Sequence, residues 1–75
     1  GYLLVCENRD RPGMIGAVGT LLGQFGVNIS FMNVGRHDKR GTALMVLTLD
    51  EPLTPEQLDE VRKVPDIIST KLLRL

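Results

Sequence analysis

Pro12-Gly13-Met14-Ile15-Gly16-Ala17-Val18-Gly19-Thr20-Leu21-Leu22-Gly23-Gln24-Phe25 is the stretch that decides the fold, because it places a helix inside a chain that otherwise reads mostly as strands. On a wheel of 100° per residue, Met14, Ile15, Val18, Leu21, Leu22 and Phe25 share one wide face, as expected of a helix lying on a sheet. Pro12 suits the first turn, where its missing N–H has no helical partner to lose, and Gly26 suits a left-handed cap at the end. The spacing therefore predicts a helix from Pro12 to Phe25.

Before this helix, Tyr2 to Glu7 is an apolar run too short for three helical turns and reads as a first strand, followed by the polar loop Asn8-Arg9-Asp10-Arg11. After it, the β-branched and aromatic residues of Val27 to Arg36 favour a second strand. His37-Asp38-Lys39-Arg40-Gly41 reads as a polar hairpin loop, with Gly41 free to take a positive φ. Thr42 to Asp50 is the third strand, apolar on both alternating sets: Ala43, Met45, Leu47 and Leu49 on one face, Leu44 and Val46 on the other. Thr54-Pro55-Glu56-Gln57 carries the capping-box pattern that starts a second helix, with Leu58, Val61 and Val64 as its apolar stripe. Pro65 stops that helix, and Ile67 to Leu75 is the fourth strand.

The order is βαββαβ, which predicts an α+β ferredoxin-like sandwich: a four-stranded antiparallel sheet with two helices on one face. The opposite face would then be bare and partly apolar, which implies oligomerisation or docking. With 75 residues the chain allows one domain, residues 1–75, and the absence of a lead-in before Tyr2 is read as a cut from a longer chain. Nine basic side chains balance nine acidic ones, so no field favours nucleic acid or an anionic lipid surface. No apolar run approaches the roughly 18 to 20 residues of a membrane span, and Cys6, the single cysteine, reads as a small buried hydrophobe in a reducing cytoplasm.

Gly16, Gly19 and Gly23 lie within about 60° of one another on the helix wheel. Three interior glycines cost a helix about 2 to 3 kcal/mol relative to alanine, so something must offset them. Tight packing on the chain's own sheet or second helix is one explanation, and close approach by a second protomer or a ligand is the other.

The loop Asn8-Arg9-Asp10-Arg11-Pro12-Gly13 runs into the helix, and Gly26-Val27-Asn28-Ile29 follows it. Free N–H groups of Gly13, Met14 and Ile15 would attract a carboxylate, Asp10 could pair with an ammonium, and Asn28 can donate and accept. Together they suit a zwitterion such as a free amino acid. The same residue types also allow Asp10 simply to cap the helix and Asn28 simply to turn the chain.

Asp10-Arg11-Pro12-Gly13-Met14-Ile15-Gly16, Gly26-Val27-Asn28-Ile29 and Gly41-Thr42-Ala43-Leu44-Met45-Val46 resemble the corresponding stretches of ACT domains, especially those that end D-3-phosphoglycerate dehydrogenases. The resemblance covers essentially the whole chain. It implies a regulatory domain, itself no catalyst, whose homodimer or higher oligomer holds L-serine between protomers for feedback control of serine synthesis. Asn8, Asp10, Pro12, Gly13, Met14 and Ile15 from one copy and Asn28 and Ile29 from another would form the site. Many relatives carry His or an aromatic at position 8, where this chain has Asn8, whose partner would be the serine hydroxyl. NAD would belong to the catalytic domain of the parent. A similar ACT domain in iron–sulfur L-serine dehydratases, and a purely oligomerising domain, are the alternatives.

Other chemistry finds little support. His37 has no second histidine nearby and only the distant Cys6, so no metal is expected. RNA-binding sheets of this topology stack bases on aromatic residues of central strands, and Thr42 to Asp50 has none. Gly13 to Gly26 matches neither the Gly-x-Gly-x-x-Gly nor the Gly-Lys-Ser/Thr phosphate loop.

Overall fold

The computed structural model describes residues 1–36 and 41–75. Its elements follow the order β1 (Tyr2–Arg9), α1 (Met14–Gln24), β2 (Ile29–Arg36), β3 (Thr42–Leu49), α2 (Pro55–Arg62) and β4 (Ile67–Arg74). The strands form one antiparallel sheet in the order β2-β3-β1-β4, so β1 and β3 are central and β2 and β4 are edges. This is the expected ferredoxin-like arrangement.

Alternation on the central strands builds the core. Leu4 and Cys6 of β1 and Met45, Leu47 and Leu49 of β3 are fully buried on the side that faces the helices. Val18 and Leu22 of α1 and Val61 of α2 complete the same cluster, which puts both helices on one face. The other face carries Leu3 and Val5 of β1 beside Leu44 and Val46 of β3, with Phe31 and Leu73 exposed at its flanks.

Local chemistry explains where the ends fall. Thr54 accepts from the Gln57 N–H at 3.1 Å while Gln57 Oε1 accepts from the Thr54 N–H at 3.0 Å, so the capping box starts α2 as expected. At the C-terminus of α1, Gly26 takes φ 73°; its N–H donates to Gly23 O, and the Val27 N–H donates to Leu22 O. That pair of bonds is a Schellman cap, and buried Val27 packs in the core with Leu22. Val27 therefore belongs to the helix cap, and β2 begins only at Ile29.

The start of α1 also differs from expectation. Gly13 takes φ 89°, outside helical geometry, so the helix opens at Met14 with Gly13 as its cap and Pro12 outside. β1 runs two residues beyond Glu7, because Asn8 and Arg9 pair with Ala43 and Thr42 of β3. A central strand satisfies its backbone on both sides, which outweighs the polar character of these residues. Gly41 has the expected positive φ of 76°; the rest of the hairpin loop, His37 included, lies outside the described residues.

An ideal Cβ built on Gly16, Gly19 or Gly23 meets nothing within 4 Å. Tight packing of this helix on its own sheet or on α2 is thereby excluded as the reason for the three glycines. They form a smooth strip on which an added methyl would meet open space among the described residues.

Candidate functional site

Where β1 ends and α1 begins, the chain leaves a cavity of about 180 Å³, room for several waters or one small solute. Its floor is the end of the sheet: Asn8 of β1, Ala43 and Met45 of β3 and Val34 of β2. Asp10 through Gly16 form its wall. Six of the eight residues singled out from the sequence line this cavity: Asn8, Asp10, Pro12, Gly13, Met14 and Ile15. Asn28 and Ile29 do not, because they follow the far end of α1, roughly 16 Å away along an 11-residue helix.

Asn8 is the last inward-pointing position of β1 and is 2% exposed. Its Nδ2 donates to Arg9 O at 2.8 Å, while its Oδ1 has no hydrogen-bond partner among the described residues. A buried acceptor without a donor costs about 1 to 3 kcal/mol, so it marks a place that a ligand hydroxyl or amine would relieve.

Beside it stands an open helix start. Among the described residues no side chain caps α1, its first turn holds no acidic residue, and the N–H groups of Met14, Ile15 and Gly16 have no helical acceptor. The donors are thus one residue further on than the sequence implied, because Gly13 is the cap rather than the first helical residue. They and the positive end of the helix dipole favour an anion.

Asp10 neither caps the helix nor stands free. Arg36, the last residue of β2, places its Nε 2.8 Å from Asp10 Oδ2. The Asp10 N–H donates to Gly41 O at 2.6 Å, which fixes the loop against the start of β3. On the other flank, Asp66 sits in the left-handed region at φ 73° and its carbonyl accepts the Arg9 N–H at 2.9 Å. Its carboxylate pairs with Arg11 and, at 3.6 Å, with Arg9 Nε. The turn before β4 thereby holds the loop that walls the cavity. Asn28 in turn donates from Nδ2 to Asp50 Oδ2 at 2.7 Å.

Sequence reasoning missed Val34, Ala43 and Met45, whose place in the cavity follows from strand register, and Arg36 and Asp66, whose signal was only charge. Among the described residues no three His, Cys, Asp or Glu side chains come together to hold a metal. No helix among the described residues is long and apolar enough to cross a membrane.

A fold of this topology with an uncapped helix start beside a buried, half-satisfied amide defines a small α+β module with a candidate ligand site. The ACT domain family matches residues 2–66, and the chain belongs to it. The chain is 47% identical over 74 residues to a D-3-phosphoglycerate dehydrogenase of Synechocystis sp., a match covering 99% of this chain and 13% of that protein. It is 38% identical over 66 residues to a probable L-serine dehydratase beta chain of Bacillus subtilis, covering 88% of this chain and 30% of that one. In fold it is similar to the ACT domain from the GTP pyrophosphokinase of Chlorobium tepidum, with TM-score 0.74, 20% identity and 96% and 95% of the two chains covered.

Proposed function

We propose that this chain is the effector-binding domain of a D-3-phosphoglycerate dehydrogenase and takes L-serine between two copies, for feedback control of serine synthesis. The observation that carries the reading is the buried Asn8 Oδ1, without a donor among the described residues, at the floor of a cavity that also opens onto helix N–H groups with no helical acceptor. The effector carboxylate lies on the N–H groups of Met14, Ile15 and Gly16; its ammonium meets the Asp10 carboxylate; its hydroxyl donates to Asn8 Oδ1. Asn28 and Ile29 come from the second copy, since they stand at the opposite end of α1 in their own. NAD belongs to the catalytic domain of such a dehydrogenase.

Identity of 47% with a dehydrogenase over nearly the whole chain supports this parent. A second reading, the ACT domain of an L-serine dehydratase, is favoured by the 38% identity with the Bacillus subtilis beta chain. Both readings share the ligand, so the parent's remaining sequence separates them: a nicotinamide-binding glycine fingerprint for one, a cysteine cluster for the other.

Calorimetric titration of the chain with L-serine, L-alanine and glycine tests the site. Serine is expected to bind at least tenfold more tightly than alanine, which lacks the hydroxyl, and Asn8→Ala should abolish that preference. If no amino acid gives heat at protein concentrations where the chain self-associates, the sensing role fails and assembly alone remains.

A further inference from the structure

Between Asn8 and Pro12, Asp10 is the single acid, and its two neighbouring cations are turned away from it: Arg9 and Arg11 both pair with Asp66. The charge that Asp10 meets instead comes from another strand. Arg36 ends β2 opposite Ala43, on the same side of the strand as Val34, which lines the cavity. Its guanidinium therefore emerges beside the cavity and reaches Asp10, Nε to Oδ2, at 2.8 Å.

We propose that Arg36 is a built-in competitor for the ammonium site and sets the affinity of this pocket for its effector. The inference rests on the reading of the cavity as an amino-acid site. A carboxylate has lone pairs for more than one donor, so an ammonium can share Asp10 or displace the guanidinium. In either case the negative charge that would draw the ammonium is already offset by a cation that belongs to the chain and is never diluted. Among the described residues no acidic side chain caps the helix start on the other side of the cavity or occupies its first turn. Within the chain the cation-binding half is thus engaged by Arg36, while the anion-binding half meets no acid among the described residues. A zwitterion, which brings its own carboxylate, gains from both halves; an amine without a carboxylate has only the contested one. Arg36 is in this sense a specificity-determining residue, although it is 84% exposed and touches the effector only through Asp10.

Titration of the chain with L-serine and with ethanolamine, which keeps the ammonium and hydroxyl but lacks the carboxylate, tests this on the unmodified protein, R36Q and R62Q. R62Q removes an equal charge from α2, where Arg62 pairs with Asp59. R36Q is expected to bind serine about two- to fivefold more tightly, the scale of an exposed ion pair, and to gain relatively more for ethanolamine. R62Q is expected to match the unmodified chain. As a second readout, the Arg36 Nε–H resonance should move on serine addition toward its position in D10N. Weaker or unchanged serine binding in R36Q overturns the competitor role while leaving the amino-acid site standing, as does an equal gain in R62Q. Failure of serine to bind all three proteins removes the site and this role with it.

Discussion

Cys6 stands fully buried in the core between the sheet and the helices, and burial pushes its thiol up from 9.0 to about 11. The neutral thiol is the form the core accepts, so the stability it contributes is complete below pH 9 and is lost as pH rises toward 11. Urea unfolding at pH 8 and pH 11 should show the unmodified chain losing about 2 kcal/mol more than Cys6→Ala over that range, although the alanine variant starts about 1 kcal/mol less stable. An equal loss in both would mean the thiolate is tolerated in the folded chain. The burial of Cys6 was readable from its apolar neighbours. Asn8 was not placed correctly by the same reasoning: a polar residue followed by Arg-Asp-Arg reads as loop, yet pairing with Ala43 keeps it in β1 and turns its amide inward. Asp10 was singled out from the sequence and lines the cavity, but its partner Arg36 lies 26 positions along the chain, and no local pattern marks such a pair.

Helix α1 shows at the scale of an element what its sequence did and did not disclose. The apolar face was legible, with Met14, Val18 and Leu22 buried at successive turns, and so was the glycine cap. The start was set two residues too early, because Pro12 is compatible with a first turn and only the left-handed φ of Gly13 rules it out. The glycine strip is legible too, but internal packing and an external neighbour call for the same three residues, and only the open space at each position in the fold separates them. With nothing to strike, a methyl group at Gly19 should improve the isolated helix by about 1 kcal/mol. If a second copy rests on this strip, the same methyl must weaken self-association. Gly19→Ala is therefore expected to raise the midpoint of urea unfolding of the dissociated chain and to weaken the dimer in sedimentation velocity. A variant that is more stable and associates as before would show that the strip faces only water.

At the scale of the whole molecule, the two halves of the candidate site are separated by the length of α1, and the geometry of one protomer does not bring them together. Topology makes this unavoidable: a strand, a helix and a second strand in a right-handed crossover place the loop before the helix and the turn after it at opposite ends. The order of elements was legible in the sequence, and with it this separation; among the described residues the surfaces left unpaired include the edge strands β2 and β4, the glycine strip and the partly apolar open face. If a second copy supplies Asn28, effector binding and self-association are linked, and each must strengthen the other by the same factor. Saturating L-serine should then lower the dissociation constant of the dimer in sedimentation velocity, and the apparent serine affinity should fall as the chain is diluted below that constant. Asn28→Ala should uncouple the two: its bond to Asp50 lies on the surface, so folding and basal association are expected to persist while the effect of serine on association disappears. Serine binding that is independent of chain concentration, with one ligand per single chain, would instead place the whole site inside one protomer and leave Asn28 to its bond with Asp50.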